Sequence, residues 1–242
     1  MYPLLELGLL NLATGGLTLL LAAYWWSQRF ERRAAHPAAA DAAIAALVAA
    51  VLVGRLAFGL THWSLYGADP ALFLALRIAE FWWPAAYGAA LLAIVLVARW
   101  RGAAPAALLD AAALALPWPQ ALASLGLLLS GDAPGQPTSL PWAVPMLGAL
   151  RHPLGAYLAL SALALAAALG WLARRQPPPG RLAAVATFGQ GVLLLLWEPL
   201  NAAALTTVAG VHVVQLAGLG LIIGAMLALR PTTRPLADAT GS

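Results

Sequence analysis

The chain has 242 residues, of which 62% are hydrophobic and 9% charged, with a formal net charge of +4. A soluble domain carries about 25% charged residues, so this composition excludes a water-exposed globular fold and points to an integral membrane protein. Cysteine is absent, which excludes disulfides, thiolate metal sites, a cysteine nucleophile and acylation of the chain itself as a lipoprotein.

A helix needs roughly 20 apolar residues to cross the hydrocarbon, and seven stretches meet or approach that length. In chain order they are about 7–26, 41–64, 81–99, 106–129, 153–173, 182–206 and 209–229. The opening "MYPLLELGLL" has no basic region before its apolar run, so the first span is expected to be a mature helix and not a cleavable signal. The fourth span contains Pro117 and Pro119 in "LPWPQ" and is expected to kink or break there. The last two spans are separated by a very short link.

The connecting segments set the orientation. Arg29, Arg32 and Arg33 follow span 1, Arg99 and Arg101 follow span 3, Arg174, Arg175 and Arg181 follow span 5, and Arg230 and Arg234 follow span 7. The alternate loops hold only Arg77 and Arg151. Every second loop is thus basic, which by the positive-inside rule puts the N-terminus outside and the C-terminus in the cytoplasm. The expected fold is an all-α integral membrane protein of seven transmembrane helices, with an irregular external loop between spans 4 and 5. Residues 1–229 are expected to form a single transmembrane domain and residues 230–242 a disordered cytoplasmic tail. "RRQPPPGR" reads as a stiff cytoplasmic connector. "SLPWAVPMLGALRHPLGAY", residues 139–157, holds three prolines and an Arg-His pair and falls on the external face.

Ionisable groups within a span are costly and mark candidate sites. Arg55 lies fourteen residues beyond Asp41, roughly 21 Å into span 2 from the cytoplasmic side. Glu198 lies seventeen residues beyond Arg181, roughly 25 Å into span 6. Glu80, Asp132, Arg151, His152 and His212 fall in or beside external loops, so polar chemistry is expected at the outer half of the membrane. Each has a plainer reading. Arg55 can snorkel to the interface, Glu198 can sit at a frayed helix end or pair with an arginine such as Arg55, and His152 can simply begin a helix before Pro153. No His or carboxylate stands at ligand spacing from His212, so no metal is expected. The ten tryptophans read as an interfacial aromatic belt, and "RRxxH" at 32–36 as an anchor and not a nucleic-acid patch.

The order of these features resembles the bacterial prolipoprotein diacylglyceryl transferases over nearly the full length. "GRLAF" at Gly54–Phe58 is similar to a Gly-Arg motif in that family's second span, and "ADPALF" resembles its Asn-Pro-Leu segment. "LPWAV" at Leu140–Val144 and the following "RHPLGAY" resemble its Leu-Pro-Trp-Ala and Arg-His-Pro-x-Gln-x-Tyr blocks. "SLGLLLSGDAPGQPT" keeps the glycine and Pro-Thr spacing of the signature Gly-Arg-x-x-Asn-Phe-Ile-Asn-x-Glu. The resemblance implies a seven-span protein of the bacterial inner membrane, its long external loop lying in the periplasm. It also implies an activity: transfer of a diacylglyceryl group from phosphatidylglycerol to the lipobox cysteine of a preprolipoprotein, with release of glycerol phosphate.

Several family positions differ. The His-Gly-Gly of span 3 falls on Pro84, Ala85 and Ala86, and the signature arginine on Ser124. The two signature asparagines fall on Leu127 and Ser130, and the glutamate on Asp132. A span-6 arginine falls on Leu194, with the glutamate four residues later kept as Glu198. The first-span His-Trp-Tyr-Gly reads Ala13, Thr14, Gly15 and Gly16. Tyr157 is kept, but the glutamate usually following it is Leu158.

The transfer needs a base to activate a thiol that is mostly protonated at neutral pH. It also needs cations to hold the phosphate and the departing glycerol phosphate. The residues expected to serve are Glu198 and Asp132 as catalytic carboxylates, with Arg55, Arg151, His152, Tyr157 and Trp142 contacting phospholipid. These would bound a cavity open to the outer leaflet between spans 2, 5 and 6. The expected partners are an anionic, phosphatidylglycerol-like phospholipid and lipoprotein signal peptides, with no nucleic acid, metal or cofactor. Two other readings fit the residues. One is a non-catalytic member that binds phospholipid or signal helices; the other is a small transporter or channel, which would require polar residues continuing toward the cytoplasm.

Overall fold

The computed structural model describes residues 4–7, 10–63, 81–202, 207–208 and 211–230. The "ADPALF" segment, Arg77, Glu80, Arg234 and the expected tail beyond Arg230 lie outside the described residues. The described chain is mainly helical. A short antiparallel pair, β1 (Leu4–Leu7) and β2 (Leu10–Ala13), leads into α1 (Thr14–Ala34). Then come α2 (Ala38–Thr61), α3 (Trp83–Trp100), α4 (Pro105–Ala115) and α5 (Pro117–Ser130). The hairpin β3 (Val144–Met146) and β4 (Ala149–Arg151) follows, then α6 (Leu154–Ala173) and α7 (Arg181–Trp197). A single 3₁₀ turn covers Glu198–Leu200. The pair β5 (Thr207–Val208) and β6 (Val211–His212) leads into α8 (Val213–Ala228).

Among the described residues, four helices are long and apolar enough to cross a membrane: Ala38–Thr61, Trp83–Trp100, Leu154–Ala173 and Arg181–Leu200. The α4–α5 pair makes a fifth if counted as one bent span; the two helices meet at 42°. That bend is the break expected at Pro117, and its cause is local. Pro117 cannot donate to the turn before it and instead starts a new helix, as Pro105 starts α4 and Pro84 stands in the first turn of α3. Gly131, at φ +81°, then closes α5 with a left-handed cap.

The first and last expected spans come out differently. α1 begins at Thr14, not near residue 7, and extends to Ala34, so it takes in Arg29, Glu31, Arg32 and Arg33 and loses apolar character. α8 has 16 residues, about 24 Å of helix against a hydrocarbon of about 30 Å.

Small residues hold the helices together. One core cluster joins Trp26 and Phe30 of α1 to Ala38, Ala39, Ala42, Ala43 and Ala46 of α2; Ile94 and Ala98 of α3 and Ala111, Ala112 and Ala115 of α4 complete it. Lipid tails are as apolar as leucine, so helices in a bilayer associate through such close backbone approach and not through a hydrophobic drive. α4 is central and packs on α1, α3, α5 and α7, while α2 packs mainly on α3 and α1. At the α7–α8 crossing, a Cβ added to Gly191 would lie 2.5 Å from the Gly218 carbonyl oxygen. Only glycine permits that contact, and it sets how the two helices face each other.

The bundle has two ends. The connector end carries the α1–α2, α3–α4 and α6–α7 links; the hairpin end carries β3–β4 and the Glu198–Ala202 turn. The loop between α5 and α6 is more regular than expected. Leu147 and Gly148, both at positive φ (48° and 74°), form the two-residue hairpin tip that a primed turn requires. Pro137 bridges to Arg151 and Gly135 to Asn201. Gln136 N donates to Leu200 O at 2.7 Å and His152 N to Gln136 O at 3.1 Å. The prolines are thus accommodated in a small β cap, with the neighbouring residues carrying its hydrogen bonds.

Candidate functional site

Two groups of candidate residues stand at or near the hairpin end. The larger is built on α6, α7 and the loop. Tyr157, one turn into α6, accepts a hydrogen bond from Trp142 Nε1 at 2.7 Å and lies 3.3 Å from His152 Nδ1. Its ring stacks on Trp197 with centroids 5.1 Å apart, and Trp197 Nε1 donates to Ser161 Oγ at 3.0 Å. Trp142, His152 and Tyr157, separate in sequence, therefore form one contact set. The "LPWAV" segment is tied to "RHPLGAY" through a phenol hydroxyl.

Arg151 is directed into the loop itself. Its Nε donates to Met146 O at 3.2 Å and its Nη1 to Gly135 O at 3.0 Å. Two of its five N–H groups thus brace the β cap. Glu198 sits where α7 ends, with its side chain 12% exposed. Asn201 hydrogen-bonds to it, and His212 Nδ1 lies 3.9 Å from Glu198 Oε1. No carboxylate stands at ligand spacing from His212 in the sequence, but the fold sets Glu198 beside it. The two residues are fourteen apart in sequence, and the α7–α8 crossing brings them together. Glu198 is not frayed into water; its carboxylate faces Asn201 and His212.

The second group surrounds Arg55. The residue is 5% exposed, which does not fit a snorkelling side chain, and it has an interacting partner. Next to it, the Gly54 carbonyl accepts a hydrogen bond from Trp82 N at 3.0 Å. A Cβ at Gly54 would meet Ala86 Cβ at 2.9 Å, so the Gly-Arg motif is the point where α2 closes on α3. Asp132 is exposed beyond the end of α5, and its Oδ2 would lie 2.8 Å from a Cβ on Gly15. It sits beside the N-terminus of α1, a favourable place for a carboxylate.

Polar residues also occur deeper than expected. Gln120 on α5 and Gln190 on α7 exchange two amide hydrogen bonds, at 3.0 and 2.7 Å. Tyr87 on α3 pairs with Thr187 on α7 at 3.1 Å, and buried Ser124 bonds back to Gln120 O at 2.9 Å. These groups satisfy one another across helices, as buried polar groups must. Their signal in the sequence is the Thr187-Gln190 pair, three residues apart on one helix face.

A sequence model of the family described as prolipoprotein diacylglyceryl transferase matches residues 5–230. The chain belongs to that family. It is similar to a phosphatidylglycerol–prolipoprotein diacylglyceryl transferase of Bordetella avium (strain 197N), with 31% identity over 160 residues. That match covers 61% of this chain and spans 58% of the relative's length. Of the family positions, Ser124, Pro84 and Ala86 are buried in the bundle, while Glu198 and Tyr157 stand at the hairpin end.

Proposed function

We propose that this chain is a diacylglyceryl transferase of the bacterial inner membrane with a rebuilt site, acting on an anionic phospholipid at the outer leaflet. The observation that carries the reading is the hairpin-end set of Glu198, His212, Tyr157, Trp142 and His152, which gathers titratable and aromatic groups in a member of this family. Arg55 supplies a buried cation to the phosphate, and the lipobox cysteine of a preprolipoprotein receives the diacylglyceryl group. In this reading the chain crosses the membrane seven times as one domain, 1–229, with its hairpin end in the periplasm and a cytoplasmic tail from 230.

A second reading, a non-catalytic phospholipid or signal-helix binder, is favoured by Leu194 and Ser124 at the family's arginine positions and by Arg151 being engaged with carbonyls. Complementation separates the two. In cells depleted of their own transferase, expression of this chain is expected to restore lipidation of a lipobox reporter, and Arg55→Ala or Glu198→Ala to abolish it. Stable insertion without lipidation would favour the binder. Because the chain lacks cysteine, sidedness is directly testable with single-cysteine variants. Ser139→Cys is expected to react with an impermeant maleimide in spheroplasts, and Gln176→Cys only after permeabilisation; the reverse pattern would invert the topology.

A further inference from the structure

We propose that Glu198 and His212 form the proton-accepting pair of this site. The proposal rests on the transferase reading above and names the base that the family's His-Gly-Gly position, here Pro84–Ala86, no longer provides. His212 begins α8, where its backbone N–H donates to Gln215 Oε1 at 3.3 Å. Its side chain closes a capping box with the Gln215 backbone, and its buried Nδ1 lies 3.9 Å from Glu198 Oε1. The side chain is 22% exposed, and with Nδ1 buried that exposure belongs to the rest of the ring. Asn201 holds the carboxylate in turn.

This is the arrangement of a base with an orienting group: a carboxylate behind one imidazole nitrogen and solvent access to the rest. Catalytic contacts of this kind are often long without substrate and tighten when it binds. The other imidazoles among the described residues are differently placed. His152 contacts the Tyr157 hydroxyl, His62 stacks on Phe58 with its Nδ1 2.9 Å from Phe58 O, and His36 accepts from Ala38 N at the connector end.

In the reaction, the imidazole takes the proton from the cysteine thiol, and Glu198 steadies the imidazolium. The sulfur lone pair forms a bond to the terminal glycerol carbon of the diacylglyceryl group. The bond from that carbon to the phosphate oxygen breaks, and its electron pair leaves with glycerol phosphate. The proton then passes from His212 to the leaving phosphate or to water, which restores neutral imidazole.

The test uses the full-length chain in phosphatidylglycerol nanodiscs with a synthetic lipobox peptide, following the thioether product by mass spectrometry. His212→Ala is expected to lower turnover about 100-fold or more, the range typical of a lost general base, with KM for the peptide little changed. Added imidazole is expected to recover part of the rate. His212→Gln keeps size and polarity and is expected to be as slow; matched melting temperatures exclude misfolding. Turnover of His212→Ala or His212→Gln equal to the native rate would overturn the pair while leaving the transferase reading intact. Absence of thioether from the native chain would overturn that reading and the pair with it.

Discussion

The two ends of this bundle use polar groups in opposite ways. At the connector end, Asp41 pairs with Arg101 at 2.7 Å, and Asp110 of α4 accepts Gly180 N and Ala183 N, both at 2.7 Å. Asp110 thereby caps α7 from a neighbouring helix, satisfying two amides that α7 cannot satisfy itself. Arg175 lies over the Trp171 ring at 3.8 Å, an interfacial anchor. Each of these charges terminates or fastens a helix. At the hairpin end, Glu198 and His212 are held at 3.9 Å by helices meeting nearby, and Tyr157 gathers two loop residues. One end uses its polar groups to fix helices; the other presents them partly exposed.

If that contrast is right, damage to the connector end should cost stability and damage to the hairpin end should cost function. Phe30→Ala should have the largest effect. The ring is fully buried and stacks on Trp26 at 5.3 Å, so its loss should destabilise by about 3–5 kcal/mol, read as a lowered melting temperature in detergent. Asp110→Ala should follow, at about 2–3 kcal/mol, because two charge-assisted bonds go and the α7 amides lose their acceptor; hydrogen exchange at Gly180 and Ala183 should rise with it. The smallest is Tyr157→Phe, at about 1 kcal/mol, with faster proteolysis of the 139–153 loop and little change elsewhere. A Tyr157→Phe effect larger than that of Asp110→Ala would reverse the assignment of roles.

Parts of this were legible from residue order. The break at Pro117 follows from a ring that removes a donor, and the four long spans follow from uninterrupted apolar runs. Glu198 and Tyr157 could be singled out by position, but their neighbours could not. Arg151 has the chemistry of a phosphate ligand, yet the fold turns its guanidinium toward the Met146 and Gly135 carbonyls. Asp110 caps a helix seventy residues further on, a partner that no local pattern marks. Gln120 and Gln190 gave no sign of being partners, because amides pair wherever two helix faces happen to meet.

Sequence by itself determined the membrane class, the places where helices must start or bend, and the basic alternation of the connectors. These depend on length, hydropathy and local backbone sterics, all of which act along the chain. The tertiary structure alone decided which polar groups meet. That depends on the rotation of each helix about its axis, which is set by close contacts such as Gly191 on Gly218 and Gly54 on Ala86. The Glu198–His212 pair is a product of that rotation.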